Sequence, residues 1–105
     1  MKIRELLRQE QTSLSFEVFP PKKDTDFANV EAATLGIARL QPSYMSVTYG
    51  AGGSTKAGTI QLASEIQKKY SVPAISHLTC VCASKDSIQS ALTEMKQAGI
   101  ENILA

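Results

Sequence analysis

Glu17, Thr48 and His77 fall about 30 residues apart, each near the end of an apolar, β-branched or aromatic run. Turn residues and then a helical pattern follow each run. A strand–loop–helix unit occupies roughly this length, so the chain keeps the beat of a repeating β/α fold. In a parallel barrel, polar groups at the carboxyl ends of successive strands meet on one face, where active sites are built. A glutamate buried without a partner is costly. Three polar side chains directed to one rim therefore point to chemistry.

The elements follow from the pattern. Ile3, Leu6 and Leu7 predict a short amphipathic turn that caps the start of the fold. Leu14–Phe19 alternates, with Leu14, Phe16 and Val18 on one side and Ser15, Glu17 and Phe19 on the other, and Pro20-Pro21 ends this first strand. Asp24 and Asp26 are candidate N-caps for a helix whose apolar stripe is Val30, Ala33, Ile37 and Leu40. Tyr44–Tyr49 is the second strand, and Gly50–Ser54 a tight loop, with Ser54 or Thr55 capping a helix that buries Ile60, Ala63, Ile66 and Tyr70. The third strand is expected over Ala74–Cys82. Ser84 caps the next helix, Asp86 complements its dipole, Ile88, Ala91, Leu92 and Met95 form its stripe, and Gly99 follows it. Ile100–Ala105 begins a fourth strand.

A complete (β/α)8 barrel needs about 250 residues, and this chain has 105. Its pattern ends as the fourth strand begins. Two architectures accommodate that: a small open sheet, or the first three β/α units of a TIM-type barrel plus the start of strand four. The inward polar residues favour the second. A net charge of +1, with 20% charged residues and no Trp, argues against nucleic acid or an anionic membrane as the main partner. No stretch approaches the roughly 20 apolar residues of a membrane span. Met1–Gln11 is charged throughout, unlike a signal peptide, so a cytoplasmic location is expected. Cys80 and Cys82, two apart on a strand, suit reduced thiols used as apolar packing.

The motifs admit functional and structural readings. Glu17, if its side faces a barrel interior, is a general acid in a dry pocket; otherwise it is a carboxylate paired with a neighbouring cation. Thr48 and the glycine loop allow close backbone approach to an anionic ligand, but an ordinary βα turn uses the same residues. His77 is the single histidine, and without a second one it and the cysteines make no metal site. Lys22 and Lys23 read as a solvated pair.

Three segments carry a closer likeness: Ser15-Phe16-Glu17-Val18-Phe19-Pro20-Pro21-Lys22, Ser46-Val47-Thr48-Tyr49-Gly50-Ala51-Gly52-Gly53, and His77-Leu78-Thr79-Cys80. In this order and spacing the chain resembles the amino-terminal part of the methylenetetrahydrofolate reductase family. The resemblance implies that residues 1–105 belong to a single flavin-binding (β/α)8 barrel domain. It implies FAD as cofactor, NADH or NADPH as cosubstrate, a folate as substrate and a homo-oligomeric parent. Glu17 takes the position of the family's general acid, which protonates N10 of 5,10-methylenetetrahydrofolate. Thr48 matches the position that contacts the nicotinamide, and Tyr49, Ala51 and His77 match positions lining the flavin. In the family an Arg-Gly-Asp loop follows the fourth strand, beyond Ala105 here, so the 105 residues alone are expected to lack turnover. The competing readings are another folate- or pterin-linked barrel enzyme, and a non-catalytic α/β module that needs a partner chain.

Overall fold

The structure, a computed structural model, describes residues 1–21, 24–49 and 56–105. In chain order it contains α1 (Ile3–Leu6), β1 (Ser15–Val18), a 3-10 turn (Asp24–Asp26), α2 (Phe27–Ala38), β2 (Tyr44–Val47), α3 (Lys56–Tyr70), β3 (Ala74–His77), α4 (Lys85–Gln97) and β4 (Asn102–Leu104). The strands form one sheet in the order β1-β2-β3-β4, all parallel. A doubly wound sheet reverses its strand order at a switch point. Here the order never reverses, and right-handed crossovers then place every connecting helix on one side. That arrangement matches a segment of a β/α barrel. Closure into a barrel is not part of what these residues form.

Period-two alternation assigns the two faces. Met45 and Val47 of β2, Ala74 and Ser76 of β3, and Leu78 beyond it are buried beneath the helices. They meet Ile60, Leu62, Ala63 and Ile66 of α3, Ala38 of α2, and Ala91 and Met95 of α4 in one core. Ser15, Glu17, Tyr44, Ser46, Ile75 and His77 alternate onto the opposite, open face. Register fixes one row across it: Glu17 opposes Ser46, Ser46 opposes Ile75, and Ile75 opposes Asn102.

α1 closes the amino end of the sheet, opposite the rim where the loops lead into helices. The Ile3 N–H donates to Asn102 Oδ1 at 2.9 Å, and Asn102 Nδ2 donates to the carbonyls of Met1 (3.1 Å) and Ala74 (3.3 Å). The cap expected from Ile3, Leu6 and Leu7 is present, with Ile3 buried.

α4 follows the sequence reading closely. Ser84 Oγ accepts from the Ser87 N–H at 3.1 Å. At the other end Gly99 (φ 78°) reverses the chain, its N–H donating to Lys96 and the Ile100 N–H to Met95. These two bonds form a Schellman closure, which needs the left-handed backbone that glycine adopts without a Cβ clash.

Other expectations required correction. The strands are shorter than the apolar runs, covering Ser15–Val18, Tyr44–Val47, Ala74–His77 and Asn102–Leu104. β3 does not reach Cys82, because the Ala83 N–H donates to the Cys80 carbonyl at 3.2 Å and Cys82 takes φ 58°, turning the chain away. Both cysteines are consequently free and exposed, not packed. Asp26 makes no side-chain cap bond, and the 3-10 turn leads into α2 in its place. The inward stripe of α2 runs through Phe27, Val30, Thr34, Ile37 and Ala38, while Ala33 is exposed and Leu40, beyond the helix end, is 75% exposed. Val30 and Ile37 of the expected stripe do pack on the core, and the difference is confined to Ala33 and Leu40, whose places are taken by Thr34 and Ala38. α3 buries Thr59, Leu62 and Ser64 in addition to Ile60, Ala63 and Ile66, because it is flanked by α2 and α4. Lys22, Lys23 and the Gly50–Thr55 loop lie outside the described residues.

An ion cluster ties α2 to α3: Lys69 Nζ lies 3.2 Å from Glu65 and 3.5 Å from Glu31. Burial pushes the Glu65 carboxyl up, but hydrogen bonds with Glu31, Gln61 and Lys69 and the lysine charge bring it below its ordinary 4.5. A carboxyl depressed on folding stabilises the protein above its unfolded value, and that contribution disappears as pH falls through the folded value. Lys69 is raised by its bonds to Glu65, so its share is lost only well above neutrality.

Three variants test the core and this cluster. Met45→Ala should lower stability by about 2–5 kcal/mol in urea unfolding. Ser76→Ala should leave it equal or higher, because the buried Ser76 hydroxyl has no hydrogen-bond partner among the described residues. Glu65→Gln should reduce stability at pH 7 by under about 1 kcal/mol, since Lys69 is half exposed. The gap between variant and parent should narrow as pH is lowered below 4.5.

Candidate functional site

The open face brings together two of the three regularly spaced residues. On β1 the helix-facing positions are Phe16 and Val18, which leaves Glu17 on the open side, directly opposite Ser46 of β2. Ser46 Oγ donates to Glu17 Oε2 at 3.2 Å. His77, at the carboxyl end of β3, reaches across β2 and places Nε2 3.7 Å from the same oxygen. That is beyond hydrogen-bonding distance, and among the described residues the buried Nε2 has no hydrogen-bond partner. It is a polar atom directed into the site with its bonding capacity unused.

Thr48 stands at the carboxyl end of β2, its backbone held on both sides. Its N–H donates to the Val18 carbonyl at 3.0 Å, and its carbonyl accepts from Thr59 Oγ1 at 2.9 Å. Thr59 is fully buried in α3, so the helix side of the fold fixes the strand end from which Thr48 and Tyr49 project. Thr48 is half-buried, and Tyr49 packs partly against the core. Ala51 lies outside the described residues.

The dry pocket expected around Glu17 is not formed by these residues. Its side chain is 50% exposed, whereas that of His77 is 21% exposed. β1 is an edge strand with a neighbour on one side only, so half of the carboxyl's surroundings is solvent. A hollow of about 450 Å³ opens at the rim between His77, Thr79, Cys80 and Leu104. Another of about 250 Å³ lies beneath Tyr49, Leu78 and Ser87. A further hollow of about 500 Å³, lined by Pro42, Ser43 and Pro73, sits at the amino end of the sheet, away from the polar residues. Among the described residues no three His, Cys, Asp or Glu side chains group as metal ligands, and no helix is long and apolar enough to cross a membrane.

Sequence reasoning passed over Ser46 and Thr59. Ser46 was legible in principle, since it sits two positions before Thr48 on the same face of one strand. Thr59 carried no signal, because its role depends on where α3 meets the end of β2.

The model of the methylenetetrahydrofolate reductase family matches residues 2–105. The chain belongs to that family. It is 36% identical over 104 residues to methylenetetrahydrofolate reductase (NADH) 1 of Arabidopsis thaliana, covering 99% of this chain and 18% of the relative. Against methylenetetrahydrofolate reductase 2 of Schizosaccharomyces pombe it is 40% identical over 92 residues, 87% of this chain and 14% of the relative. Against 5,10-methylenetetrahydrofolate reductase of Salmonella typhimurium it is 30% identical over 97 residues, 92% of this chain and 33% of the relative. The chain thus spans between about a seventh and a third of these relatives, and it carries the Glu17–Ser46–His77 cluster within that span.

The turn that carries the cysteines gives a direct check on this end of the sheet. Both thiols of the folded chain should react with Ellman's reagent without denaturant, releasing two equivalents. Release of fewer than two until the chain is unfolded would mean that the Cys80–Ala83 turn is packed.

Proposed function

We propose that this chain supplies one side of the active site of a flavin-dependent reductase that converts 5,10-methylenetetrahydrofolate to 5-methyltetrahydrofolate. The supporting observation is the Glu17 carboxyl, bonded to Ser46 and facing His77 on the open face, in a chain of the methylenetetrahydrofolate reductase family. Residues 1–105 are then the amino-terminal part of a single (β/α)8 barrel domain. The sequential, all-parallel strand order, with a helix between each pair of strands, supports that reading. So does the exposure of Phe16 and Phe19 at one edge and of Ile103 and Leu104 at the other, where further strands and helices would cover them.

The residues fit FAD on one physical count: the buried His77 Nε2 has no hydrogen bond among the described residues and is available to a ligand. Thr48, Tyr49 and His77 would hold the cofactor and nicotinamide, and Ala51 would join them. When bound, FAD would accept a hydride from the nicotinamide and pass it to the folate's bridging carbon. The plant relative's name specifies NADH, which supports that cosubstrate here.

Glu17 supplies the proton. Opening the five-membered ring breaks the bond between N10 and the bridging methylene, and a carboxylic acid beside N10 keeps negative charge from building on the departing nitrogen. Such an acid must stay protonated until that step. The remainder of a barrel over the open face of β1 would exclude water from around the carboxyl, as proton transfer to N10 requires.

The test is a chimera in which this chain replaces the matching segment of the Salmonella typhimurium relative. It should purify with flavin and form 5-methyltetrahydrofolate. Glu17→Gln should lower that product formation by about 10²–10⁴-fold while leaving flavin reduction by NADH within a few-fold. A chimera that binds flavin and makes product equally well with glutamine would overturn the role of Glu17.

A further inference from the structure

Glu17 has two carboxyl oxygens, and the structure treats them differently. Ser46 Oγ donates to Oε2 at 3.2 Å, and His77 Nε2 lies 3.7 Å from that same oxygen. Both polar neighbours are thus on the Oε2 side. A carboxylic acid carries its proton on one oxygen, and the other, its carbonyl oxygen, is the better acceptor. An oxygen that already accepts from a serine hydroxyl is the poorer place for the proton, because two hydrogens would then compete for one space.

We propose that Ser46 is a positioning residue that makes Oε1 of Glu17 the proton-bearing oxygen and aims it away from β2 toward the substrate. This rests on the reading of Glu17 as the general acid and adds which atom delivers the proton and what orients it. Three features support the assignment. Register places Ser46 directly opposite Glu17, so the bond joins paired positions on adjacent strands and not a chance contact of two flexible side chains. β2 is an interior strand of the sheet, with neighbours on both sides, whereas β1 is an edge. The anchor therefore sits on the more rigid strand. Finally, the Ser46 backbone is flanked by the fully buried Met45 and Val47, which hold it in place against the helices.

The role differs from that of a structural hydrogen bond. Glu17 is half exposed, and a glutamate has three rotatable side-chain bonds. Without Ser46 the carboxyl would sample several rotamers and present either oxygen. Proton transfer needs one oxygen held at hydrogen-bonding distance from the accepting nitrogen, so a loss of orientation lowers the rate of that step more than it weakens substrate binding.

The experiment uses Ser46→Ala and Ser46→Thr, the latter retaining a hydroxyl on the same carbon. In the 105-residue chain, NMR side-chain couplings of Glu17 should report one dominant rotamer in the parent and in Ser46→Thr, and averaged rotamers in Ser46→Ala. In the chimera, Ser46→Ala should lower kcat for folate reduction about tenfold with KM changed less than twofold, and Ser46→Thr should recover most of the loss. Flavin reduction by NADH should be the same in all three. Equal Glu17 couplings in parent and Ser46→Ala, or equal kcat, would overturn the role of Ser46 and leave Glu17 standing. If Glu17→Gln has no effect on product formation, the underlying functional reading fails first, and the two failures are told apart by that variant.

Discussion

Everything in this molecule hangs on one buried surface, where β2 and β3 lie against α3. Met45, Val47, Ala74 and Ser76 present a continuous helix-facing layer, and Leu62, Ala63 and Ile66 fill it from the other side. Burial of this kind is non-directional, but the strand register is not, because a slip of one residue would exchange every inward side chain for an outward one. The packing that stabilises the helix side therefore also dictates which residues stand on the open side. Glu17, Ser46 and His77 are brought together as a consequence of how Val18, Val47 and Ser76 are buried.

The same layer explains the uneven quality of the site. His77 and Thr48 belong to β3 and the end of β2, both interior to the sheet, and each is partly buried. Glu17 belongs to an edge strand and stays half in solvent. Apolar residues are exposed on both edge strands, Phe16 on β1 and Ile103 on β4 among them. Such edges invite pairing with further strands. One more layer of protein over these edges would thus cover the exposed apolar residues and the Glu17 carboxyl together.

Legibility from the sequence varied with the range of the interaction. α4 was readable end to end, because Ser84, Asp86 and Gly99 act within a turn of their own positions. The three strands carrying the site were readable as well, through alternation and turn residues. Failures arose where a neighbour decides. On α2, Val30 and Ile37 were read correctly, but Ala33 was misread as inward in place of Thr34, since both suit an amphipathic pattern and only the angle of packing on the sheet separates them. Cys80 and Cys82 were misread as strand residues because Val81 and its flanks look β-like, while the positive φ of Cys82 and the Ala83-to-Cys80 hydrogen bond turn the chain outward. The Asp26 cap was replaced by a 3-10 turn for which the local residues give no clear sign.

By itself, the sequence determined the β/α repeat, the family and the identity of the residues that project from successive strand ends. Those properties are local or periodic, and each is written in residue types at fixed spacing. Only the tertiary structure decided that Glu17 is paired with Ser46, that His77 reaches it across an intervening strand, and that Thr59 secures the backbone of Thr48. These contacts join residues about 10 to 60 positions apart, and they depend on register and packing, which the chain acquires only when the sheet and its helices assemble around a shared core.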